Sequence, residues 1–290
     1  MNPRSITEQY ASKHGKIYWL LHDSSVIAWR NLLRFKRNPE VLFFDVVQPI
    51  IFILLFAYVF GGAIDVGDSS YRSFLIPGIF VQTIAFAGAS AAIGLNADMT
   101  SGIIDRFKSL PMNTTGVLLG QNFADLVRSV ITLFIMSLTG FAIGWRISGG
   151  FTNAVIGYLL LLAFGFSMAW IGSTIGLSVS SPQVASTAGF AWLFPLTFLS
   201  NAFVPTETLP TWLRFFAEWN PITSIVAAAR YLFGYPMQVA PDAPFSLQHP
   251  ILTTVIWLVV INVIFRFSCH WLQRNLEKQP VVKPGKFQLS

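Results

Sequence analysis

The chain has 290 residues, of which 53% are hydrophobic and only 11% charged. Soluble domains carry roughly 25% charged residues, so this composition excludes an ordinary soluble globular domain and points to a membrane-embedded one. The net charge of +6 lies beside apolar segments, which fits membrane orientation rather than nucleic-acid binding. The single cysteine, Cys269, excludes an intrachain disulfide framework and a cysteine-based metal cluster.

The N-terminal stretch is polar and mixed in charge, so no cleavable signal peptide is visible and the first span is expected to act as its own insertion signal. Residues 23–38 then show helical periodicity. Trp29, Val26 and Leu33 fall on one stripe and Arg30, Arg34 and Arg37 on another. Ser24 or Ser25 can cap such a helix and Pro39 ends it. A basic face, an apolar face and a Trp describe a helix lying in the membrane interface; simple obedience to the positive-inside bias is the other reading.

Residues 41–60, 74–95, 117–144, 154–179, 184–204 and 251–269 are each apolar over the roughly 20 residues that a crossing needs. The expected fold is therefore an all-α membrane protein with about six transmembrane helices. Residues 1–40 form a tail and interfacial helix, 41–269 the transmembrane domain and 270–290 a second tail. Arg72, Arg146, Arg214 and Arg230 fall on one side of these spans and all other Lys and Arg on the opposite side, so both termini are predicted to be cytoplasmic.

Polar residues are few. Asp45 and Gln48 stand one turn apart at the start of the first span, where they either face protein or water for a functional reason or are wetted at the interface. Between the second and third spans, Asp98, Asp105, Arg106 and Lys108 interleave with Ile103, Ile104, Phe107 and Leu110 before Pro111. Ile103, Phe107 and Leu110 give one apolar face, which suits either the lipid surface or a soluble partner. Asp125 and Arg128, spaced i, i+3, predict an intrahelical pair. Gly140 with Gly144, and Gly172 with Gly176, permit close helix approach.

Residues 201–230 are too apolar and aromatic for a free loop, yet Pro205, Pro210 and Pro221 interrupt them too often for a span. Irregular backbone at membrane depth is tolerated only when buried in protein or lining a wet cavity. A pair of half-length helices dipping in from the extracytoplasmic side is expected, carrying Trp212, Glu218, Asn220 and Arg230.

Catalytic signatures are missing. No Gly-x-x-x-x-Gly-Lys-Ser/Thr loop occurs, and His14, His22, His249 and His270 lack metal-site spacing. The chain is expected to be no enzyme and to bind no cofactor itself.

Several segments in order carry a resemblance: the helix ending at residues 34–39, DVVQPIIFILLFAYVFGGAI from Asp45, YRSFLIPGIFVQ from Tyr71, DRFKSLPM from Asp105, and FVPTETLPTWLRFFAEWNPITSIVAAAR from Phe203. Together residues 29–274 resemble the membrane subunit of a bacterial ATP-binding-cassette exporter of type-2 permease architecture, in the branch of daunorubicin-resistance-like drug permeases. The resemblance implies that the segment with Asp98, Gly102, Asp105, Arg106, Leu110 and Pro111 is a coupling helix seated on a separate ATPase subunit. Asp98 and Ile103 stand at the acid and Thr positions of the family's Glu…Gly-Thr-Leu pattern. It implies that the interfacial helix is a second ATPase contact, and that Asn220–Pro221 and Arg230 are the Asn-Pro…Arg signature of extracytoplasmic re-entrant helices.

It further implies a pair of permease chains in the bacterial plasma membrane, with ATP and Mg bound by the partner ATPase. The cargo would be a hydrophobic or amphiphilic drug or lipid; a lipid-linked polysaccharide or glycolipid is the alternative. Asp45, Gln48, Phe52, Phe56, Phe194 and Phe198 are pathway or dimer-interface candidates, with Phe43, Phe44, Phe190 and Trp192 beside them. Glu218 and Arg230 would gate the outer end or only brace it. An ion-coupled secondary transporter is disfavoured by the shortage of deep acids and the absence of an inverted repeat.

Overall fold

The computed structural model describes residues 16–60, 71–103, 114–204, 206, 209–236 and 243–278, which form helices and turns with no strand among them. In chain order these are α1 (Lys16–Arg37), α2 (Pro39–Leu55, continued by a π-turn at Phe56–Phe60), α3 (Tyr71–Thr100), α4 (Thr114–Ala142) and α5 (Phe151–Ser178). There follow α6 (Pro182–Phe198), α7 (Thr211–Glu218), α8 (Pro221–Phe233), the single turn α9 (Phe245–Gln248) and α10 (Pro250–Lys278).

The breaks fall where the backbone chemistry places them. Asn38 separates α1 from α2, and Pro39 occupies the first turn of α2, where a missing N–H costs little. Gly144 and Gly150 have φ of 96° and 85°, so the chain can turn sharply between α4 and α5. Ser181 accepts a hydrogen bond from Val184 N at 3.3 Å and opens α6, with Pro182 behind it.

α3, α4, α5 and α10 each contain a stretch long and apolar enough to cross a membrane. The chain is thus a multi-pass helical membrane protein, while α2, α6 and α8 are shorter. At 17 residues α6 rises about 25 Å, less than a hydrocarbon core of about 30 Å. The expected span 184–204 therefore ends early. Pro195 sits in its last turn, the helix stops at Phe198, and the chain goes on through a tightly packed turn with Ser200, Asn201 and Ala202 buried.

α3 is the hub, with α4, α5, α6 and α8 all packed against it, while α1 lies along α4 and α10 along α5 and α8. Small residues set the closest crossings. A Cβ on Gly172 would overlap the Gly88 carbonyl, and one on Gly176 would stand 2.7 Å from the Ala92 carbonyl. The pairing of Gly172 and Gly176 is thus a helix-crossing seam, between α5 and α3. Gly140 and Gly144 are not, because α4 ends at Ala142 and Gly144 serves the turn beyond it. A pair at the same spacing that the sequence reading passed over, Gly116 and Gly120, seats α1: a Cβ on Gly120 would lie 2.5 Å from the Ser24 carbonyl.

α1 also departs from expectation at its start. It begins at Lys16, so Ser24 and Ser25 are interior, and their hydroxyls donate back to Leu20 O and His22 O, both at 2.7 Å. Its buried stripe is Asp23, Ile27, Ala28 and Asn31, turned toward α4, whereas Val26 and Trp29 are exposed. α10 runs unbroken past Cys269 to Lys278.

Candidate functional site: a charged and aromatic groove with two anchored ends

α2, α3 and α4 line two adjoining recesses, the first bordered also by α6 and the second by α1. One, of about 240 Å³, is lined by Asp45, Gln48, Phe52, Gln82, Phe86, Arg128, Phe190 and Phe194 among others. The second, of about 320 Å³, is bordered by Arg34, Asp45, Ser90, Asp98, Asp125 and Arg128. Asp45, Ser90 and Arg128 line both, so the two recesses form one groove.

Two features that the sequence left separate meet on its floor. Arg128 Nη1 lies 3.3 Å from Asp45 Oδ2 on α2 and its Nη2 3.8 Å from Asp125 Oδ1 on its own helix. The expected intrahelical pair is present, but its arginine also bridges to a second helix. Both Arg128 and Asp125 are buried. A charge taken out of water is tolerated only when paired, so the bridge explains why these groups can stand inside a helical bundle.

The wall is aromatic. Phe86, Phe190, Phe194, Phe198, Phe203, Phe56 and Phe52 follow one another with ring centroids 5.0 to 6.3 Å apart. Phe190, Phe194 and Phe198 recur every four residues and so share one face of α6. The rings of Phe52, Phe56, Phe194 and Phe198 are therefore joined in one ladder. Phe43 and Phe44 pair with each other and are exposed. Gln82 and Phe86 were missed in the sequence; a glutamine in the middle of an apolar span was the available signal.

At the rim of the groove, Asp98 is buried near the end of α3 and accepts from Arg30 Nη2 at 2.6 Å and Arg34 Nη1 at 3.3 Å. Arg30 and Arg34 thus turn toward α3, while Trp29 and Arg37 remain exposed. Asp98 is 4% exposed and paired with Arg30 and Arg34, so it latches α1 to the C-terminal end of α3. Gly102 adopts φ 72° just after α3. Asp105, Arg106, Leu110 and Pro111 lie outside the described residues. Asp98→Ala is expected to free α1, measured as faster limited proteolysis between residues 16 and 37; an unchanged cleavage rate would show that the latch holds nothing.

At the other end, Asn220 joins three pieces of backbone. Its Oδ1 accepts from Ile222 N at 2.8 Å, capping α8, and its Nδ2 donates to Leu196 O and Leu199 O at 2.6 and 2.7 Å, closing α6. Pro221 follows in the first turn of α8 and Gly234 ends that helix in the left-handed region. Arg230 is 1% exposed. It donates to Phe74 O at 2.8 Å and Asn201 O at 2.8 Å, and its guanidinium lies 3.5 Å from the centre of the Phe74 ring. It therefore ties α8 to α3 and to the turn after α6. Glu218 is also buried, accepting from Arg214 Nε at 2.6 Å, whereas Trp212 is exposed and Pro210 precedes α7. α7 and α8, of 8 and 13 residues, are two short helices in the tract where half-length helices are expected; Pro205 lies outside the described residues.

A hub of crossing apolar helices around a charged and aromatic groove defines a multi-pass membrane protein with a recess between its helices. Residues 23–233 match the ABC-2 type transporter family, and the chain belongs to that family. It is 36% identical over 204 residues to the daunorubicin resistance ABC transporter permease protein DrrB1 of Streptomyces coeruleorubidus, covering 70% of this chain and 72% of that one. It is 28% identical to the doxorubicin resistance ABC transporter permease protein DrrB of Mycobacterium tuberculosis, over 80% of this chain and 81% of the relative. A putative transport permease of Cyanophora paradoxa is 25% identical over the same shares, 80% and 81%. These relatives are named as permeases of ABC transporters or of transport, which agrees with a chain that is not itself the catalytic subunit.

Proposed function

We propose that this chain is the permease subunit of an ATP-driven exporter that moves a hydrophobic or amphiphilic drug or lipid out of the cytoplasm or inner leaflet. The observation that supports this most is the groove. A floor formed by Asp45, Asp125 and Arg128 beside an aromatic wall suits a cargo with a polar head and an apolar body. The drug-resistance names of two relatives favour the same cargo class.

On this reading α2, α3, α4, α5, α6 and α10 make the crossings in the bacterial plasma membrane, with both termini cytoplasmic. Residues 1–40, 41–269 and 270–290 serve as interfacial region, permease domain and tail. A second permease chain pairs across the exposed faces of α2 and α6, where Gln48, Phe194 and Phe198 are accessible. A separate ATPase, which binds ATP and Mg, docks on α1 and on the segment through Gly102, Asp105, Arg106, Leu110 and Pro111. Closure of the ATPases then biases the permease between two arrangements by their differential affinity for each. Arg230 and Asn220 brace the outer end, because their side chains tie α8 to the backbone of α3, of α6 and of the turn after α6.

The test is uptake of a fluorescent amphiphile into inverted vesicles holding the permease. Accumulation is expected only with the cognate ATPase and ATP together. Equal movement without nucleotide would sink the ATP-coupled reading.

A further inference from the structure

Most arginines among the described residues are held by the chain itself. Arg30 and Arg34 hold Asp98, Arg128 bridges Asp45 and Asp125, and Arg230 donates to backbone carbonyls. The C-terminal end of α10 is different. Arg266, His270 and Arg274 recur every four residues there, so they form one stripe, and all three are exposed. Their side chains have no ion pair or hydrogen bond among the described residues. Glu277, the one acid in α10, stands three residues beyond Arg274 in the chain. Phe267 and Trp271, a turn apart and also exposed, run alongside.

The stripe faces outward because α10 uses another side to meet the protein. Cys269 is buried against Thr174 of α5, and Leu272 packs beside it on the cluster containing Trp170 and Leu177. The height of the stripe matters as well. Counted from Pro250 at the start of α10, Arg266 stands about 24 Å along the helix and Arg274 about 36 Å. A hydrocarbon core is about 30 Å thick, so the stripe crosses the level where acyl chains give way to head groups. An arginine stem can lie along the acyl chains with its guanidinium among the head groups, and Trp is a ring that this layer favours.

Charge decides what covers such a surface. Two guanidinium groups and an imidazole N–H offer only donors to a ligand oxygen and lack an opposing acid. A zwitterionic head group carries its own cation beside its phosphate and so neutralises the stripe less well than a net anion does. A free phosphate ion has no chain to lie against Phe267 and Trp271. We infer that Arg266, His270 and Arg274, with Phe267 and Trp271, form a docking surface for an anionic glycerophospholipid. The positive-inside bias places basic residues near this end in any arrangement; it does not require one unpaired stripe beside an aromatic one. The cytoplasmic leaflet follows from the orientation proposed above, whereas the surface itself depends on neither cargo nor ATPase.

The experiment compares two matched photo-crosslinking probes, phosphatidylglycerol and phosphatidylcholine carrying the same acyl diazirine, on the full chain in phosphatidylcholine vesicles. Adducts on residues 263–275 are quantified by mass spectrometry. Wild type is expected to give about fivefold more adduct from the phosphatidylglycerol probe, suppressed by unlabelled phosphatidylglycerol. The triple substitution Arg266→Gln, His270→Gln and Arg274→Gln should bring the two yields together. Lys36→Gln with Arg37→Gln, which removes two exposed positive charges at the end of α1, should leave the preference intact.

Equal yields in wild type, whether because lipid is not selected or because a second copy covers the stripe, would overturn the surface. A comparable loss in the Lys36 and Arg37 control would reduce the preference to general basic charge and overturn it too. Excess inorganic phosphate is expected not to compete; displacement by phosphate would show an ion site rather than a lipid surface. Because the three side chains are exposed and bond nothing described in the protein, the triple variant should keep its thermal midpoint in phosphatidylcholine. A fall there would mean that the stripe already has a partner within the chain, and would count against the lipid.

Discussion

Asn220→Ala is expected to destabilise the protein by about 3 kcal/mol or more, measured as a fall in the thermal unfolding midpoint of the purified chain in nanodiscs. The change strands Ile222 N, Leu196 O and Leu199 O, and each buried unsatisfied backbone group costs about 1–3 kcal/mol. The aspartate variant separates the two halves of this role. Aspartate is as good an N-cap as asparagine. Here, however, Asn220→Asp would replace a donating amide by a carboxylate facing two carbonyl oxygens. It is therefore expected to be no more stable than Asn220→Ala. Full rescue by aspartate would mean that only the cap matters and that the two bonds to α6 contribute nothing.

Gly172→Ala is expected to be the most disruptive single-methyl change in the bundle. The added carbon would overlap the Gly88 carbonyl, which is backbone of a facing helix and cannot swing aside. α3 and α5 form the most extensive helix pair, so the helices must separate or shift along their length. Overpacking of this kind costs about 1–3 kcal/mol, and more where backbone meets backbone. The expected result is a lowered unfolding midpoint and reduced yield of folded permease. The same methyl at Gly94 faces open packing, with only a side-chain atom of Gln121 at 3.5 Å, and is expected to be tolerated. If both variants behave alike, the α3–α5 crossing does not depend on that contact.

Much of this architecture is legible in the chain. The helix before Pro39, the apolar helices, the break at Asn220–Pro221 and the two short helices of 201–230 follow from local signals: hydropathy over a window, a proline, a capping residue. The family resemblance was carried by the same short stretches. The helix ends were less legible. Residues 184–204 read as one span because they are apolar throughout, but Pro195 ends α6 at Phe198 and Asn220 fastens that end from 22 residues away. Nothing local to α6 announces the amide that satisfies its carbonyls.

The groove shows the division most clearly. Asp45, Asp125 and Arg128 were each visible as polar residues in apolar surroundings, yet the bridge between α2 and α4 depends on how those helices are rotated and in what register they cross. Asp98 stood in sequence at an acid position of the coupling segment; in the structure α1 covers it with Arg30 and Arg34. Glycine contacts at Gly116 and Gly120 seat α1 on α4, and those at Gly172 and Gly176 set the α3–α5 crossing; their effect lies in the atoms opposite, which hydropathy does not encode. The sequence by itself determined a multi-pass helical membrane protein, because composition and local propensity act within single segments, and its short motifs carried the resemblance to the family. The tertiary structure alone decided which charges meet, which aromatics join and which acid is covered, because those partners are chosen by close packing between segments far apart in the chain.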